Sequence, residues 1–466
     1  MKLKYSLLLV MIVVLVTSCD LLGKIDDIEP QYKLTDETVM TDLKSAESTL
    51  NGVYASWSNI RIGWMRHYLD AITGVEGDKN ILGMEGFSKN QVDITNEGVA
   101  YNYEALYNVV NNATSFIYNL AQKPNLKGVS PERRAEMTAE AKCMRAMAYL
   151  YLLRQYGEFY NLGSTYGIVL YGDEPVRDNI SMKRSSVADV YETINDDLDD
   201  AILHAPEFTE HYLISRLVAK ALKARVMLYM KDYPKAGSLA QEVIDEAEDY
   251  GYALEEDYLD IFTNSFYSSE VLYALYSTYP DEKYGGGQWN TSTAGKNTTL
   301  IADEIGEGEK DKRFVKIYSE IDPDKKYVKN NKYPFSSYEF MQDTHYYVRL
   351  AEMYYIVAEA EARQQHFDLA RMALKGIICL ERAGYSEDYV DGIADNNMLE
   401  MILKHKWIEL CTENNEEWYD LIRYHVEDGF VIVPTYVASD IHLTLPIPKD
   451  AMAGNNLLEQ NPSYNN

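Results

Sequence analysis

Aromatic and amide side chains in irregular stretches of the sequence are the groups that could bind a ligand. Trp289 and Asn290 follow three consecutive glycines and Tyr284 precedes them, while Trp64 lies in RIGWMRHY and Tyr101 in VAYNY. A flat ring can stack on the apolar C–H face of a sugar, and neighbouring amide groups can hydrogen-bond to the sugar hydroxyls. We therefore predict that these five residues contact a ligand. The alternatives are a core position for Trp64 and a structural loop plug for Trp289.

Motifs of known catalytic or metal chemistry do not occur in the sequence. The eight histidines are scattered without HExxH spacing, and no GxSxG motif is present. The glycines 285–287 lack the Lys-Ser/Thr pair that a phosphate-binding loop requires. We predict no catalytic residue, no metal and no cofactor. A surface glycoside hydrolase stays open as an alternative, because an acidic chain supplies many carboxylate pairs.

The N-terminal segment predicts a lipid anchor. Lys2 and Lys4 precede an apolar run of twelve residues, Tyr5 to Val16, which ends shortly before Cys19. That layout is typical of a secretory signal, and the run is shorter than the roughly 20 residues of a membrane-spanning helix. The stretch Val-Thr-Ser-Cys resembles the bacterial lipobox, whose cysteine is acylated. We predict a signal peptide over 1–18 and acylation of Cys19; the alternative is an ordinary secreted protein.

Acidic residues follow the predicted anchor. Asp26, Asp27 and Glu29 lie within residues 19–31, which we predict to be a flexible tether. Acidic residues directly behind a lipidated cysteine resemble the surface-export signals of some Gram-negative lipoproteins. The alternative is a solvated linker.

Composition excludes several classes of partner. The 466-residue chain carries a formal charge of −29, which disfavours nucleic acid and anionic lipid headgroups, since both need a basic surface. Cys143, Cys379 and Cys411 are an odd number without short spacing, so we expect buried thiols rather than disulfides or a zinc site. Tyrosine is in excess, with 40 residues against 11 phenylalanines, and such rings suit half-wet binding surfaces and polar cores.

Apolar residues recur at helical spacing in several segments. Helices are predicted over 41–57 and over 140–156, the second ending at Gly157. The acidic run NDDLDD (195–200) lies on a predicted amphipathic helix, where a solvated acidic face is favoured over a calcium site. We predict that Trp57, Trp407 and Trp418, which fall in helical segments, are core residues.

Two segments share a pattern of small and aromatic residues. Ala224, Tyr233 and Ala236 have the same offsets of nine and twelve residues as a second set of three, Ala358, Phe367 and Ala370. In tetratricopeptide repeats a small residue lets two helices approach, and an aromatic residue fills the turn between them. Residues 74–103 and 251–331 are instead predicted to be irregular and exposed, which suits binding loops on a helical scaffold.

Several segments together resemble the SusD/RagB family. The opening CDLLGKIDDIEP…LNGVYASW, the helix EAKCMRAMAYLYLLRQYGEFY with Arg145, the stretch KHKWIELCTENNEEWYDLIRYH and the closing LPIPKD…LEQNPSY are similar to motifs of that family. Two departures are Tyr419 between Trp418 and Asp420, and Tyr103 where many members have tryptophan.

The resemblance implies an all-α fold in which tetratricopeptide-like helix pairs form a scaffold for an irregular, ligand-bearing half. It implies one domain over 32–466 and a lipoprotein of the outer membrane that faces the exterior of a Gram-negative cell. It further implies binding of an extracellular nutrient, in most members a glycan, and delivery to a SusC-like TonB-dependent transporter. A peptide or glycopeptide ligand remains an alternative, because tyrosine-rich clefts also bind peptides. A structural surface subunit without a ligand is the third hypothesis.

Overall fold

The computed structural model describes residues 39–58, 92–176, 181–208, 210–276, 296–306, 311–317, 331–334, 344–430 and 442–464. In these ranges the elements are α1 (Leu43–Ser58), α2 (Glu97–Ala121), α3 (Pro131–Tyr156), α4 (Val187–His204), α5 (Arg216–Tyr229), α6 (Tyr233–Ala247), α7 (Asp260–Thr263), β1 (Val271–Ala274), α8 (Lys296–Ile305), α9 (Lys312–Ile317), β2 (Tyr346–Arg349), α10 (Leu350–Arg363), α11 (Phe367–Ile378), α12 (Glu387–Asp391), α13 (Met398–Leu410), α14 (Glu416–Asp428) and α15 (Lys449–Gly454).

The predicted all-α fold with tetratricopeptide-like helix pairs is confirmed. Each of α2 to α5 packs on the next, α6 packs on α10, and α10 packs on α11 and α13. Tyr233 and Phe367 begin the second helix of their pairs, α6 and α11, where the pattern placed a turn. A β-carbon on Gly237 would lie 3.2 Å from the β-carbon of Ala360, so α6 and α10 approach closely there.

Side chains at the helix starts explain why the long helices begin where they do. Asn96, Ser130, Ser186, Ser215 and Asp232 each accept a hydrogen bond from a backbone N–H in the first turn of α2 to α6. Such N-caps satisfy backbone donors that have no partner within the helix. The helix boundaries are therefore encoded locally.

The two strands form a small antiparallel sheet. Val271 pairs with Arg349, Tyr273 with Val348 and Ala274 with Tyr346, with irregular register between them. All residues of both strands are buried. Because β2 continues directly into α10, the sheet is joined to the helical scaffold.

The described core confirms most predictions about buried residues. Trp57, Trp407 and Trp418 are each at most 3% exposed. Cys143 and Cys411 are buried, whereas Cys379 is only partly buried, and all three thiols are free. No helix within the described ranges combines the length and apolar character that crossing a membrane would require.

Three sequence predictions need correction. Residues 97–103 are not irregular, because they form the first turns of α2. The segment 251–331 is not wholly irregular either, since α7, β1, α8 and α9 lie within it. The run 195–200 does not lie on a wholly solvated face. Asp197 is buried, and the guanidinium of Arg145 on α3 binds both of its carboxylate oxygens at 2.8 Å.

The C-terminal segment is fixed to the scaffold by two side-chain amides. Gln460 accepts a hydrogen bond from the N–H of Ile447 and donates one to its carbonyl, each at 2.8 Å. Asn461 donates to the carbonyls of Tyr156 at 3.0 Å and Leu445 at 2.7 Å. The Gln-Asn pair of the closing motif therefore ties the tail to the end of α3.

A buried cluster of charges joins the sheet to the helices. The carboxylate of Glu409, at the end of α13, lies 3.1 Å from Arg313, 3.0 Å from Arg349 and 3.1 Å from Arg382. Arg349 and Arg382 also pair with Glu270 beside β1. All five side chains are at most 1% exposed. Burial alone would raise the pKa of Glu409, but the charges of the arginines outweigh it and lower that pKa to about 2.

We predict that Glu409→Gln lowers the free energy of unfolding at pH 7 by about 3–5 kcal/mol, because buried arginines lose their counter-charge. The folded-state pKa lies below the ordinary 4.5. The stabilisation by the carboxylate is therefore complete above about pH 4.5 and is lost as the pH falls towards 2. Accordingly, the difference between wild type and variant should shrink from pH 7 to pH 3, as measured by urea unfolding.

Glu381→Gln is the matched control for this prediction. Glu381 pairs with Lys312 at 2.7 Å, but its side chain is 93% exposed, so this change should leave stability nearly unaltered. Equal losses in the two variants would contradict a special role for the buried cluster.

Candidate ligand-binding site

The structure describes one of the five residues predicted to bind a ligand. Trp64, Tyr284, Trp289 and Asn290 lie outside the described residues, as does Cys19, and their roles remain predictions. Tyr101 lies on α2 with 41% of its surface exposed. Its surroundings therefore define the candidate site.

Tyr101 lines a cleft of about 760 Å³. One wall is the N-terminal half of α2, a second is formed by Val169, Tyr171, Val176 and Met182, and a third is α15 with the residues that follow it. The described lining residues are Glu97, Ala100, Tyr101, Tyr103, Glu104, Tyr107, Asn108, Asn111, Val169, Tyr171, Val176, Met182, Pro448, Asp450, Ala451, Gly454, Asn455 and Leu458. We call this feature the tyrosine cleft.

The α2 wall presents a polar stripe to the cleft. Glu97, Tyr101, Glu104, Asn108 and Asn111 follow each other at steps of four, three, four and three residues, which places them on one helical face. The first four are exposed and Asn111 is half-buried. The stripe offers carboxylate acceptors, an amide and an aromatic ring along one line.

Three further tyrosines form the inner part of the cleft. The ring of Tyr107 lies 4.8 Å from that of Tyr103 and 5.1 Å from that of Tyr171, centroid to centroid. Tyr103 also meets Tyr156 edge-on at 4.9 Å. Burial raises the pKa of Tyr103 to about 12 and raises those of Tyr107 and Tyr171, so the hydroxyls stay protonated at neutral pH. Protonated hydroxyls can both donate and accept hydrogen bonds.

Side chains fix the second wall, because each one hydrogen-bonds to both the N–H and the carbonyl of one wall residue. The hydroxyl of Tyr107 accepts from the N–H of Val169 and donates to its carbonyl, each at 3.0 Å. The amide of Asn111 does the same for Val176, at 2.7 and 3.0 Å. Tyr149 pairs in this way with Tyr171, and Asn455 with Met182. These four residues of the second wall are thus held in place by side chains of other segments.

The third wall is attached directly to the start of α2. The N–H of Lys449, at the start of α15, donates to the carbonyl of Ile94 at 3.0 Å. Asp450 then lies in the lining of the cleft, across from the α2 stripe. The three walls are therefore joined by hydrogen bonds, and the cleft is formed before any ligand arrives.

This set of groups suits binding rather than reaction. Rings, hydroxyls, amides and carboxylates are what an uncharged polyhydroxylated molecule needs for stacking and hydrogen bonding. None of the described lining residues is basic. Within the described ranges, no three His, Cys, Asp or Glu side chains converge as metal ligands would.

Of the described cleft residues, only Tyr101 is among the five predicted ligand contacts, and its contact with a ligand stays a prediction. Tyr107 and Tyr171 belong to the tyrosine excess without an assigned role, and Tyr103 is named only as a departure from the family pattern. The four-three-four-three spacing of polar residues from Glu97 to Asn111 was a signal that could have found the α2 wall. The contributions of Val169 to Met182 and of α15 depend on tertiary contacts, for which the sequence has no local signal.

Two protein-family models match the chain. The model described as "Starch-binding associating with outer membrane" matches residues 27–228, and the model described as "SusD family" matches residues 323–438. The chain belongs to the SusD/RagB family. In this SusD/RagB protein the first model covers two walls of the tyrosine cleft, namely that of α2 and that formed by Val169, Tyr171, Val176 and Met182.

Two curated relatives of this SusD/RagB protein are similar to it over different lengths. The "SusD-like protein P2" of Formosa agariphila is 24% identical over 99% of this chain and 100% of its own length. A "SusD-like protein" of Bacteroides ovatus is 29% identical over 37% of this chain. That match spans only 30% of the length of the B. ovatus protein.

Solved structures share the SusD/RagB fold. A putative sugar binding protein from Bacteroides vulgatus matches with a TM-score of 0.74 and 26% identity, over 92% of this chain and 100% of that one. A laminarin binding SusD-like protein matches with a TM-score of 0.67 and 21% identity, over 91% of this chain and 100% of that one.

We predict that Tyr107→Phe lowers the free energy of unfolding by about 1–3 kcal/mol, because the buried N–H of Val169 loses its partner. Urea unfolding measures the loss. Tyr267→Phe is the control. The side chain of Tyr267 is 65% exposed, so water can satisfy any group that loses a contact with its hydroxyl. An unchanged stability of the Tyr107 variant would mean that the hydroxyl does not hold the cleft wall.

Proposed function

We propose that the protein is a surface lipoprotein that binds an extracellular glycan, an oligosaccharide or polysaccharide, in the tyrosine cleft. Anchored through Cys19 in the outer membrane, it delivers the glycan to a SusC-like TonB-dependent transporter. The protein binds its ligand and does not cleave it.

The observation that carries this proposal is the composition of the tyrosine cleft. The exposed ring of Tyr101 lies between the carboxylates of Glu97 and Glu104 on one helical face, with Asn108 one turn further along. A sugar ring could stack on the tyrosine while its hydroxyls donate to the acids and bond with the amide. The stripe runs along α2, which favours an extended chain over a single small sugar.

Family membership supports the same ligand class. One matching family model carries the description "Starch-binding associating with outer membrane", and one fold neighbour is a laminarin binding protein. The preformed walls of the cleft also favour binding, because little conformational freedom is lost when the ligand enters.

The ligand class can be tested with purified protein by affinity electrophoresis and calorimetry against laminarin, starch, xylan and dextran. We expect wild type to bind at least one polysaccharide, and Tyr101→Ala to weaken that binding by about 1 kcal/mol or more. The melting temperature of this variant should barely change, because Tyr101 lies at the surface rather than in the core. Trp289→Ala should behave in the same way if Trp289 also stacks on the ligand.

Trp418→Ala provides the contrasting control, since removal of this buried ring should lower the free energy of unfolding by about 3–5 kcal/mol. Binding of a peptide pool but of no polysaccharide would replace the glycan by a peptide ligand. The appearance of reducing ends during incubation would favour the hydrolase alternative instead.

The anchor and the transporter can be tested in outer membranes extracted with mild detergent. We predict that the native protein co-purifies with a TonB-dependent transporter in near-stoichiometric amount. Cys19→Ala should leave the membrane fraction, because no acyl chain can then be attached. Cys379→Ala is the control and should stay with the membrane. Full membrane retention of the Cys19 variant would contradict the lipid anchor, and recovery of the native protein alone would contradict the delivery role.

A further inference from the structure

A second group of aromatic side chains lies at the surface, outside the tyrosine cleft. Tyr267 is 65% exposed, Tyr276 is 48% exposed and Tyr212 is half-buried. All three rings contact Phe266, which is only 6% exposed, at centroid distances of 4.4, 5.5 and 5.5 Å. Tyr212 and Tyr276 also meet at 4.8 Å. We call these three tyrosines around Phe266 the aromatic platform.

Backbone hydrogen bonds fix the segments that carry the platform. The N–H of Ala274 in β1 donates to the carbonyl of His211, next to Tyr212, at 3.0 Å. The N–H of Leu275, next to Tyr276, donates to the carbonyl of His345 at 3.0 Å. Tyr267 ends a short 3₁₀ helix, Ser265–Tyr267. The rings are therefore held in place before any ligand binds, which reduces the entropy lost on binding.

The platform is amphipathic rather than simply apolar. Each exposed ring carries a hydroxyl, and the carboxylate of Glu210 is near Tyr212. Partial burial and that negative charge raise the pKa of Tyr212, so its hydroxyl remains protonated and can donate a hydrogen bond. Faces that combine rings with hydroxyls and a carboxylate match the alternating C–H and hydroxyl surface of a sugar.

The size of the platform favours a glycan chain over a protein partner. One aromatic side chain can bury about 150–250 Å². Because these three rings are only partly exposed, they offer roughly 300 Å² of accessible surface together. A stable protein interface needs about 800 Å² on each side. A few sugar units in an extended chain would cover the smaller area.

We propose that Tyr212, Tyr267 and Tyr276 form a second glycan-binding surface, which contacts a polysaccharide outside the tyrosine cleft. This inference rests on the proposed function, namely that the protein binds glycans at all. The platform shares no residue with the described lining of the cleft. Two linked contacts to long chains raise the apparent affinity well above that of either contact, by about 10²- to 10⁴-fold when the geometry permits.

The test uses the full-length protein and the polysaccharides laminarin, starch, xylan and dextran in affinity electrophoresis. The variant Tyr267→Ala/Tyr276→Ala should weaken binding to any polysaccharide that retards wild type by at least about tenfold. The variant Tyr267→Phe/Tyr276→Phe keeps the rings and should bind within about threefold of wild type. Leu203→Ala/Met372→Ala removes two other exposed apolar side chains and should not change binding.

The outcomes separate this inference from the proposed function. If the double-alanine variant binds as wild type while Tyr101→Ala is weakened, the platform is not a glycan surface but the proposed function stands. If no polysaccharide retards wild type, both are overturned. A further outcome is that wild type self-associates and that the double-alanine variant differs from it only in sedimentation coefficient, with unchanged polysaccharide binding. In that case the platform is a protein interface and the inference is wrong. Tyr267→Ala alone, at the most exposed ring, replaces the double variant if that variant melts at a lower temperature.

Discussion

The pairing of the buried carboxylate of Glu409 with three arginines is the interaction on which the packing of the sheet against α13 depends. Three guanidinium groups, from Arg313 in α9, from Arg349 in β2 and from Arg382 after α11, bind this one buried side chain. Buried charges are tolerated only when they are paired and hydrogen-bonded, so the loss of one arginine would leave buried carboxylate charge uncompensated. The cluster consequently fixes the sheet against α13.

The same principle appears at the tyrosine cleft with neutral groups. Its second wall is an irregular segment whose backbone groups cannot pair within a helix or a sheet. Tyr107, Tyr149, Asn111 and Asn455 each satisfy both the N–H and the carbonyl of one wall residue. Buried backbone groups rarely remain unpaired, and here side chains from α2, α3 and the C-terminal segment provide the partners. The scaffold helices thus give an irregular segment a defined shape, which is what selective binding requires.

The tyrosine excess has a structural reason that connects the core with the candidate site. Tyrosines such as Tyr107 and Tyr156 are buried, yet their hydroxyls donate to or accept from backbone groups of neighbouring segments. Phenylalanine could fill the same volume but could not form these bonds. The same residue type also reaches the surface, as at Tyr101 and Tyr267, where we propose that the rings contact a glycan. One residue type therefore supports both the packing of the scaffold and the proposed recognition of glycans.

The sequence by itself determined the helices, because apolar periodicity, N-caps such as Ser130 and the stop at Gly157 act over a few residues. It also determined the helix pairs, since the small and aromatic positions around Tyr233 and Phe367 recur at fixed offsets. It indicated one residue of the cleft, Tyr101, and the polar stripe on α2 was readable in principle. Only the tertiary structure decided that Asp197 is buried against Arg145 and that Asp450 faces the same cleft as Tyr101. Those contacts join residues that are far apart in the chain, and no local pattern records which partners the packing of the helices brings together.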